Sequence, residues 1–290
     1  MIDQKFLDSE TIFKIGERVQ KGVEISTGYP DIDFATKGFE PCVFWVIGAD
    51  TSHGKSALAQ NITYNVGKAG EPVTYISSEM RAPLFFSRLA TIATGINPSP
   101  ANILDPASLD YRIFMSALQE IRHLPIEFHY ETMHHEIERI IRARKSKVYI
   151  IDFLQEIKVD RRIVSRREIT DEVVRFLEQQ SKEQELSVIC LSQNKRPKEG
   201  EMPGGHSFKE SSGIEQAGDI NVQIHYKYQR MKDNCDDEGL QKLIEAGEDK
   251  ILRLNFCKNR VYGFQPLVKL HFDRKALKIS SVGSNHPEEP

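Results

Sequence analysis

The chain has 290 residues, 39% hydrophobic and 28% charged, enough for a sizeable core under a solvated surface, and no apolar run approaches a membrane span. A formal net charge of −3 excludes a globally basic nucleic-acid binder but leaves room for a local basic channel, because placement of cations steers a polyanion more than their sum. The start, Met1-Ile-Asp-Gln-Lys5, lacks the apolar stretch of a signal peptide, so the cytoplasm is the expected compartment. The four cysteines (Cys42, Cys190, Cys235 and Cys257) lack zinc-ligand spacing and are expected as buried, reduced thiols.

Residues 1–25 read as an amino-terminal arm with one helix, capped by Ser9, with Ile12, Ile15 and Val19 on one face beside Phe13, and ended by Gly22. Its apolar stripe has two equal uses, packing on its own domain or docking on a neighbouring subunit. A turn-rich lead-in, Ser26 to Asp33, precedes the apolar run Val43 to Ile47, which reads as a buried strand. The loop Ala49-Asp50-Thr51-Ser52-His53-Gly54-Lys55-Ser56 comes next, then a helix from Ser56 to Lys68 closed by Gly70. Strand, small-residue loop and Gly-Lys-Ser opening a helix is the order of a phosphate-binding loop, whose backbone N–H groups converge on an anion. Lys55 would reach the β- and γ-phosphates and the Ser56 hydroxyl would hold Mg²⁺. Ala49 stands where the generic pattern has its first glycine, and Gly48 comes one residue early. His53 could contact nucleotide, but reads more simply as a filler side chain.

Beyond the loop, strands are expected at Val73–Ser78, Ile126–Tyr130, Val148–Asp152 and Val188–Ser192. Helices are expected at Pro83–Ala93, Ser108–Ile121, His134–Ala143 and Glu168–Glu185. This alternation predicts an α/β fold with a mainly parallel sheet covered on both faces. From Ile220 the texture changes. Ile220–Tyr226, Ile251–Phe256, Leu267–Phe272 and Ala276–Ile279 alternate like antiparallel strands, with a loop and short helix over Asp233–Gly239. One domain is expected over 26–282, then a disordered tail, 283–290. His134-His135-Glu136 lacks zinc-helix spacing and reads as surface helix; Phe44 and Trp45 read as core.

Three strand ends carry polar residues: Glu79, Asp152 and Gln193. Ligands of open parallel sheets sit outside the carboxyl ends of strands, so these three are expected around a nucleotide held by the loop. Arg161, Arg162, Arg166 and Arg167 come after the Asp152 strand; Lys195, Arg196, Lys198 and Lys209 come after the Gln193 strand. Both basic segments would leave the sheet at the nucleotide edge.

Seven stretches, in order, resemble the ATPase domain of DnaB-type replicative helicases, a branch of the RecA-like superfamily. They are Thr27-Gly-Tyr-Pro-Asp-Ile-Asp33 with Gly38; Ala49 to Ser56, where the family also has alanine first; Ser77-Ser-Glu-Met80 with Arg88-Leu89 after it; Asp152-Phe-Leu-Gln155; Leu191-Ser-Gln-Asn-Lys-Arg196; Phe208-Lys-Glu-Ser-Ser-Gly-Ile-Glu-Gln216 with Asp219; and Lys258-Asn-Arg260 with Gly263. The resemblance implies Glu79 as general base toward water, Asp152 as a Mg²⁺ support, and Gln193 as a link from the γ-phosphate to DNA-facing loops that include Lys209, Glu210 and Ser212. It implies Arg260 as an arginine finger, with Lys258 its companion, both reaching a neighbour's nucleotide. It further implies an ATP- and Mg²⁺-dependent hexameric ring that moves 5′→3′ on single-stranded DNA and unwinds a fork, with primase or a loader as candidate partners.

Departures from the family are Asp50 and Thr51 for Arg and Pro, Lys209 for Arg, Ser212 for Gly, and Val261-Tyr262 for Asn-Gly. Were the chain complete, the family's amino-terminal collar would have no counterpart, as expected of a collarless phage or mobile-element form, and the Ile12–Val19 helix would correspond to the linker that packs on the next subunit. Two rival readings are a RecA- or KaiC-like ATPase that does not unwind, and a nucleotide-bound adaptor that loads another helicase.

Overall fold

The computed structural model describes residues 22–98, 105–159, 165–194 and 212–282, with Gly16 and Phe208. The expected helix over Ile12–Val19 apart from Gly16, the tail from Gly283, and Arg161, Arg162, Lys195, Arg196, Lys198, Lys209 and Glu210 lie outside the described residues.

The described residues form one nine-stranded sheet in the order β3-β2-β4-β5-β1-β6-β7-β8-β9. In chain order the strands are β1 (Phe44–Ala49), β2 (Val73–Ser77), β3 (Ile126–Tyr130), β4 (Val148–Asp152), β5 (Ser187–Gln193), β6 (Ile220–Tyr226), β7 (Ile251–Asn259), β8 (Leu267–Asp273) and β9 (Lys278–Ser281). The helices are α1 (Pro30–Thr36), α2 (Lys55–Lys68), α3 (Ala82–Thr94), α4 (Leu109–Arg122), α5 (His134–Arg142), α6 (Arg166–Glu183), α7 (Ser212–Ala217), α8 (Lys227–Asp233) and α9 (Asp237–Glu245). Strands β1 to β6 pair in parallel, and β6-β7, β7-β8 and β8-β9 pair antiparallel.

Central strands β1, β2, β4 and β6 are buried along their whole length, as parallel strands covered on both faces must be. Their side chains alternate between two cores. Trp45 and Ile47 of β1 join Leu58, Ile62, Phe85 and Phe114 from α2, α3 and α4. Phe44 and Val46 join Ile137, Val173, Leu177 and Ile214 from α5, α6 and α7. Strand β6 departs from the antiparallel expectation: it runs parallel to β1 and forms the junction where the sheet changes sense.

The lead-in is not all turn. Pro30 opens α1, and Asp33 within it accepts from the Thr27 N–H (2.9 Å) and hydroxyl (2.7 Å) and from the Ser26 hydroxyl (2.5 Å). Gly28 has φ +84, and a Cβ there would lie 2.2 Å from the Asn65 side chain of α2, so glycine lets this segment close on the helix that leaves the phosphate loop. Cys42 and Cys235 are exposed, correcting the expectation of four buried thiols; each has a positive φ and occupies a turn. All four cysteines are free.

Candidate nucleotide site

In-register parallel pairing brings the polar strand ends together. Ala49 pairs with Gln193, and Ser77 with Asp152, so the ends of β1, β2, β4 and β5 form one edge. The phosphate loop rises from that edge through Ser52 (φ 65) and Gly54 (φ 88), and α2 begins at Lys55 with Ser56 in its first turn. A residue at position 48 has no room for a side chain. A Cβ on Gly48 would lie 2.6 Å from the Gln223 amide and 2.7 Å from the Asn194 amide, which hydrogen-bond each other at 2.7 Å beneath the loop.

Lys55 extends over the Phe153 ring, its Nζ 4.5 Å from the centroid. Burial pushes its pKa down, while Asp152 and Glu79 draw it back up. Glu79 is raised by burial and by Asp152, against Lys55. The three groups therefore sense one another across the site. Asp152 is buried; its Oδ2 accepts from the Tyr75 hydroxyl at 2.5 Å, while its Oδ1 is buried without a partner. Gln193 donates through Nε2 to the Thr51 hydroxyl (2.7 Å) and through its backbone N–H to Gln155 Oε1 (3.0 Å). Gln155 in turn donates to Ser192 Oγ (3.0 Å), tying the segment after β4 to β5. A solvent-deprived ammonium, a loop opening a helix, a first-turn hydroxyl and an orphaned carboxylate oxygen fit a polyphosphate with one small hard cation. No cluster of three or more His, Cys, Asp or Glu that could cage a metal unaided occurs among the described residues.

His53 takes a different place. Its side chain is buried against α8. Lys258 and Arg260 lie at the opposite edge of the sheet. Strand β7 runs antiparallel to β6, pairing Leu252 with Tyr226 and Asn259 with Ile220, so its end returns to where β6 begins. The Arg260 N–H donates to Asp219 O at 2.9 Å, and the Asp219 N–H to Phe44 O at 2.8 Å, at the start of β1. The length of β6 puts roughly 20 Å between this edge and the phosphate loop. Arg260 is exposed there. Lys258 Nζ donates to the Glu215 and Gln216 carbonyls at 2.8 Å each, engaging α7 of its own chain.

Among the expected DNA-contacting residues, Arg166 and Arg167 stand in the first turn of α6, which begins earlier than expected because Ser165 and Glu168 form a capping box. The backbone of Ser212 opens α7. His134 meets the Phe176 ring edge-on at 4.4 Å, and His135 faces Glu136, as expected of a surface helix. Sequence reasoning missed Tyr75 and Gln223, and quoted Gln155 and Asn194 only as members of motifs, without roles of their own. Tyr75 carried a signal: a tyrosine inside an aliphatic strand needs a partner for its hydroxyl.

No helix among the described residues is long and apolar enough to cross a membrane. The fold is similar to a DnaB-like replicative helicase solved for its interactions with primase, at TM-score 0.82 and 24% identity over 97% of this chain and 68% of that one. A second solved structure, of an ATPase domain, is similar at TM-score 0.81 and 23% identity over 97% of this chain and 100% of that one. In sequence, the replicative DNA helicase DnaB of Helicobacter pylori (strain 26695) is 30% identical over 249 residues, 80% of this chain and 50% of that protein. DnaB of Treponema pallidum is 26% identical over 210 residues, 70% of this chain and 48% of that protein. The chain thus spans about half the length of the relatives it matches. A family model for the DnaB-like helicase C terminal domain matches residues 24–281, the whole described sheet with its phosphate loop, and the chain belongs to that family.

Proposed function

We propose that this chain is the ATP-driven motor of a ring-forming DNA helicase that moves on single-stranded DNA and separates strands at a fork. The observation that carries the reading is the division of the site. Lys55, Glu79, Asp152 and Gln193 share one sheet edge, and Arg260 stands exposed at the other. Among the described residues, Arg260 is remote from its own chain's phosphate loop, so two copies in succession would complete each catalytic centre.

On this reading the loop residues 49–56 bind the triphosphate, Lys55 neutralises its β- and γ-oxygens, and Ser56 and Asp152 would hold Mg²⁺, which would supply further charge neutralisation. Glu79 takes a proton from the attacking water; its raised pKa makes it a better base than an ordinary glutamate. Gln193, bonded to Thr51 of the loop, links the γ-phosphate position to the segment after β5. Arg260 of the adjacent subunit stabilises charge on the transferring phosphoryl group. Arg161, Arg162, Arg166, Arg167, Lys195, Arg196, Lys209, Glu210 and Ser212 belong to the segments that would line the ring's hole, where cations give salt-sensitive contacts to single-stranded DNA. Primase and a helicase loader are the candidate protein partners.

Subunit mixing tests this. Lys55→Ala and Arg260→Ala should each abolish hydrolysis, and Arg260→Ala should leave ATP binding nearly intact. Mixed together they should regain turnover, because some interfaces then pair an intact Lys55 with an intact Arg260. A mixture no more active than its parents, or wild-type turnover by Arg260→Ala alone, would refute the shared site. Stimulation of the ATPase by single-stranded DNA, falling with salt, separates a motor from an adaptor, and unwinding of a forked duplex separates it from a RecA- or KaiC-like ATPase.

A further inference from the structure

The His53 side chain, within the phosphate loop, is not among the groups assigned above to the phosphates, the cation or the water. His53 is 1% exposed, and its Nε2 lies 3.8 Å from Oδ2 of Asp233, the last residue of α8, which is half-exposed. Its Nδ1 is buried without a partner, as is Oδ1 of Asp50 three residues earlier in the loop. Asp50 and Arg230 of α8 lie within electrostatic reach of each other and of His53. The loop therefore meets α8 through a polar, charged seam.

Helix α8 is itself well anchored. The Arg274 guanidinium stacks 3.4 Å over the Tyr228 ring, and Tyr228 lies nearly parallel to Tyr226 of β6 at 5.9 Å. Lys227 at the start of α8 shares Glu248 with Arg253 of β7, at 3.3 and 2.7 Å. A contact between His53 and α8 thus ties the loop to strands β6 and β7 and to Arg274, just beyond β8. A loop held in its binding conformation loses less entropy when an anion arrives.

We propose that His53 and Asp233 form a strut that fixes the phosphate loop against α8, making His53 a positioning residue for nucleotide binding. The strut rests on the reading of residues 49–56 as a nucleotide site. It has a consequence opposite to simple electrostatics. Asp233 is an anion beside an anion site, so Coulomb's law alone says that its removal should tighten ATP binding. A strut says that its removal should weaken it.

The test is a titration of the full chain with a fluorescent ATP analogue in Mg²⁺, comparing wild type with His53→Leu, Asp233→Ala, the double variant and Asp233→Glu. Each of the two truncations should weaken binding about three- to tenfold, the effect of one lost polar contact. The double variant should be no weaker than the worse single one, and Asp233→Glu should recover most of the loss. For Asp233→Ala, outside the loop itself, the rate at saturating ATP should change less than twofold, giving a KM effect without a kcat effect. Tighter or unchanged binding by Asp233→Ala overturns the strut, as does a double variant whose loss is the product of the single losses. Because Asp233 is half-exposed, its variants report even where His53→Leu impairs folding. Wild type that fails to bind the analogue overturns the nucleotide reading itself, and the strut with it.

Discussion

Removing a single oxygen atom, in Tyr75→Phe, tests how the site's buried carboxylate is held. The Tyr75 hydroxyl donates to Asp152 Oδ2 at 2.5 Å, and the two residues are 0% and 4% exposed, so no water competes for the bond. Burial and the adjacent carboxylate hold the phenol pKa well above its usual value, which keeps it a donor throughout the accessible pH range. Phenylalanine preserves the ring contacts with Phe85 at 4.6 Å and Phe128 at 6.3 Å, so the loss isolates the hydroxyl. A hydrogen bond to a charged group contributes about 1.5–3 kcal/mol, and the upper half applies here because Asp152 Oδ1 has no partner to share the load. Urea unfolding should therefore show a lower midpoint at unchanged slope. A double-mutant cycle with Asp152→Asn should return a coupling of about 1 kcal/mol or more, as contacting residues do. On the proposed function, with Oδ2 no longer tethered, half-maximal hydrolysis should also need more Mg²⁺. A midpoint indistinguishable from wild type, or a cycle that closes to zero, would refute the claim that this bond holds Asp152.

Gly48→Ala forces a Cβ to within 2.6–2.7 Å of the buried Gln223 and Asn194 amides and should cost about 1–3 kcal/mol in urea unfolding; a neutral result would mean that the amide pair yields freely. Glu79 is raised above the ordinary glutamate value of 4.5, so the acid limb of the ATPase rate should lie above pH 4.5, and a limb at or below it would remove Glu79 as the titrating base. His225 is buried with both ring nitrogens unpartnered, and burial with neighbouring cations lowers its pKa to about 4. The folded value lies below the unfolded one, so its contribution is in place above pH 6.5 and is lost as pH falls toward 4. His225→Leu should flatten that stretch of the stability–pH curve, and an unchanged curve would assign the acid sensitivity elsewhere.

Residues that form continuous apolar runs were the most legible. The expected strand Val148–Asp152 has the observed bounds, because length and flanking turns leave few alternatives for a short buried run; Ile126–Tyr130, half-buried and interrupted by Glu127 and His129, also has its expected bounds. The convergence of Glu79, Asp152 and Gln193 at one edge was also legible, since parallel strands place their ends together once the alternation with helices is read. Helices α1 and α8 were not. Pro30 and its aspartates read as turn chemistry, and the stretch Lys227–Asp233 has no buried residue in its helix to give it an apolar period. The parallel sense of β6 was missed because alternation of residue types reports burial on two faces and says little about a neighbour's direction. The roles of Tyr75 and His53 depend on atoms that meet across the fold, Tyr75 with Asp152 and His53 with Asp233, and no spacing rule reaches that far.

The change of strand sense at β6 has a mechanical meaning under the proposed function. A parallel strand added after β6 would start at the amino edge and finish beside the phosphate loop, and a basic residue at its end could then serve the chain's own nucleotide. Because β7 runs antiparallel, its end comes back to the amino edge, and Asn259 pins the turn beyond that end by donating to Ala35 O at 3.0 Å and Phe264 O at 2.9 Å. The Asn259 side-chain oxygen accepts from the Tyr262 N–H at 3.1 Å, so the turn that carries Arg260 is held on both sides. Rigid placement far from its own loop is the requirement for a finger acting on a neighbour, since hydrolysis then depends on how two subunits abut. Loosening that turn with Asn259→Ala should therefore slow hydrolysis in the assembled protein while leaving the affinity of each loop for ATP unchanged. Equal loss of binding and turnover would place the damage in the fold and not at the junction between subunits.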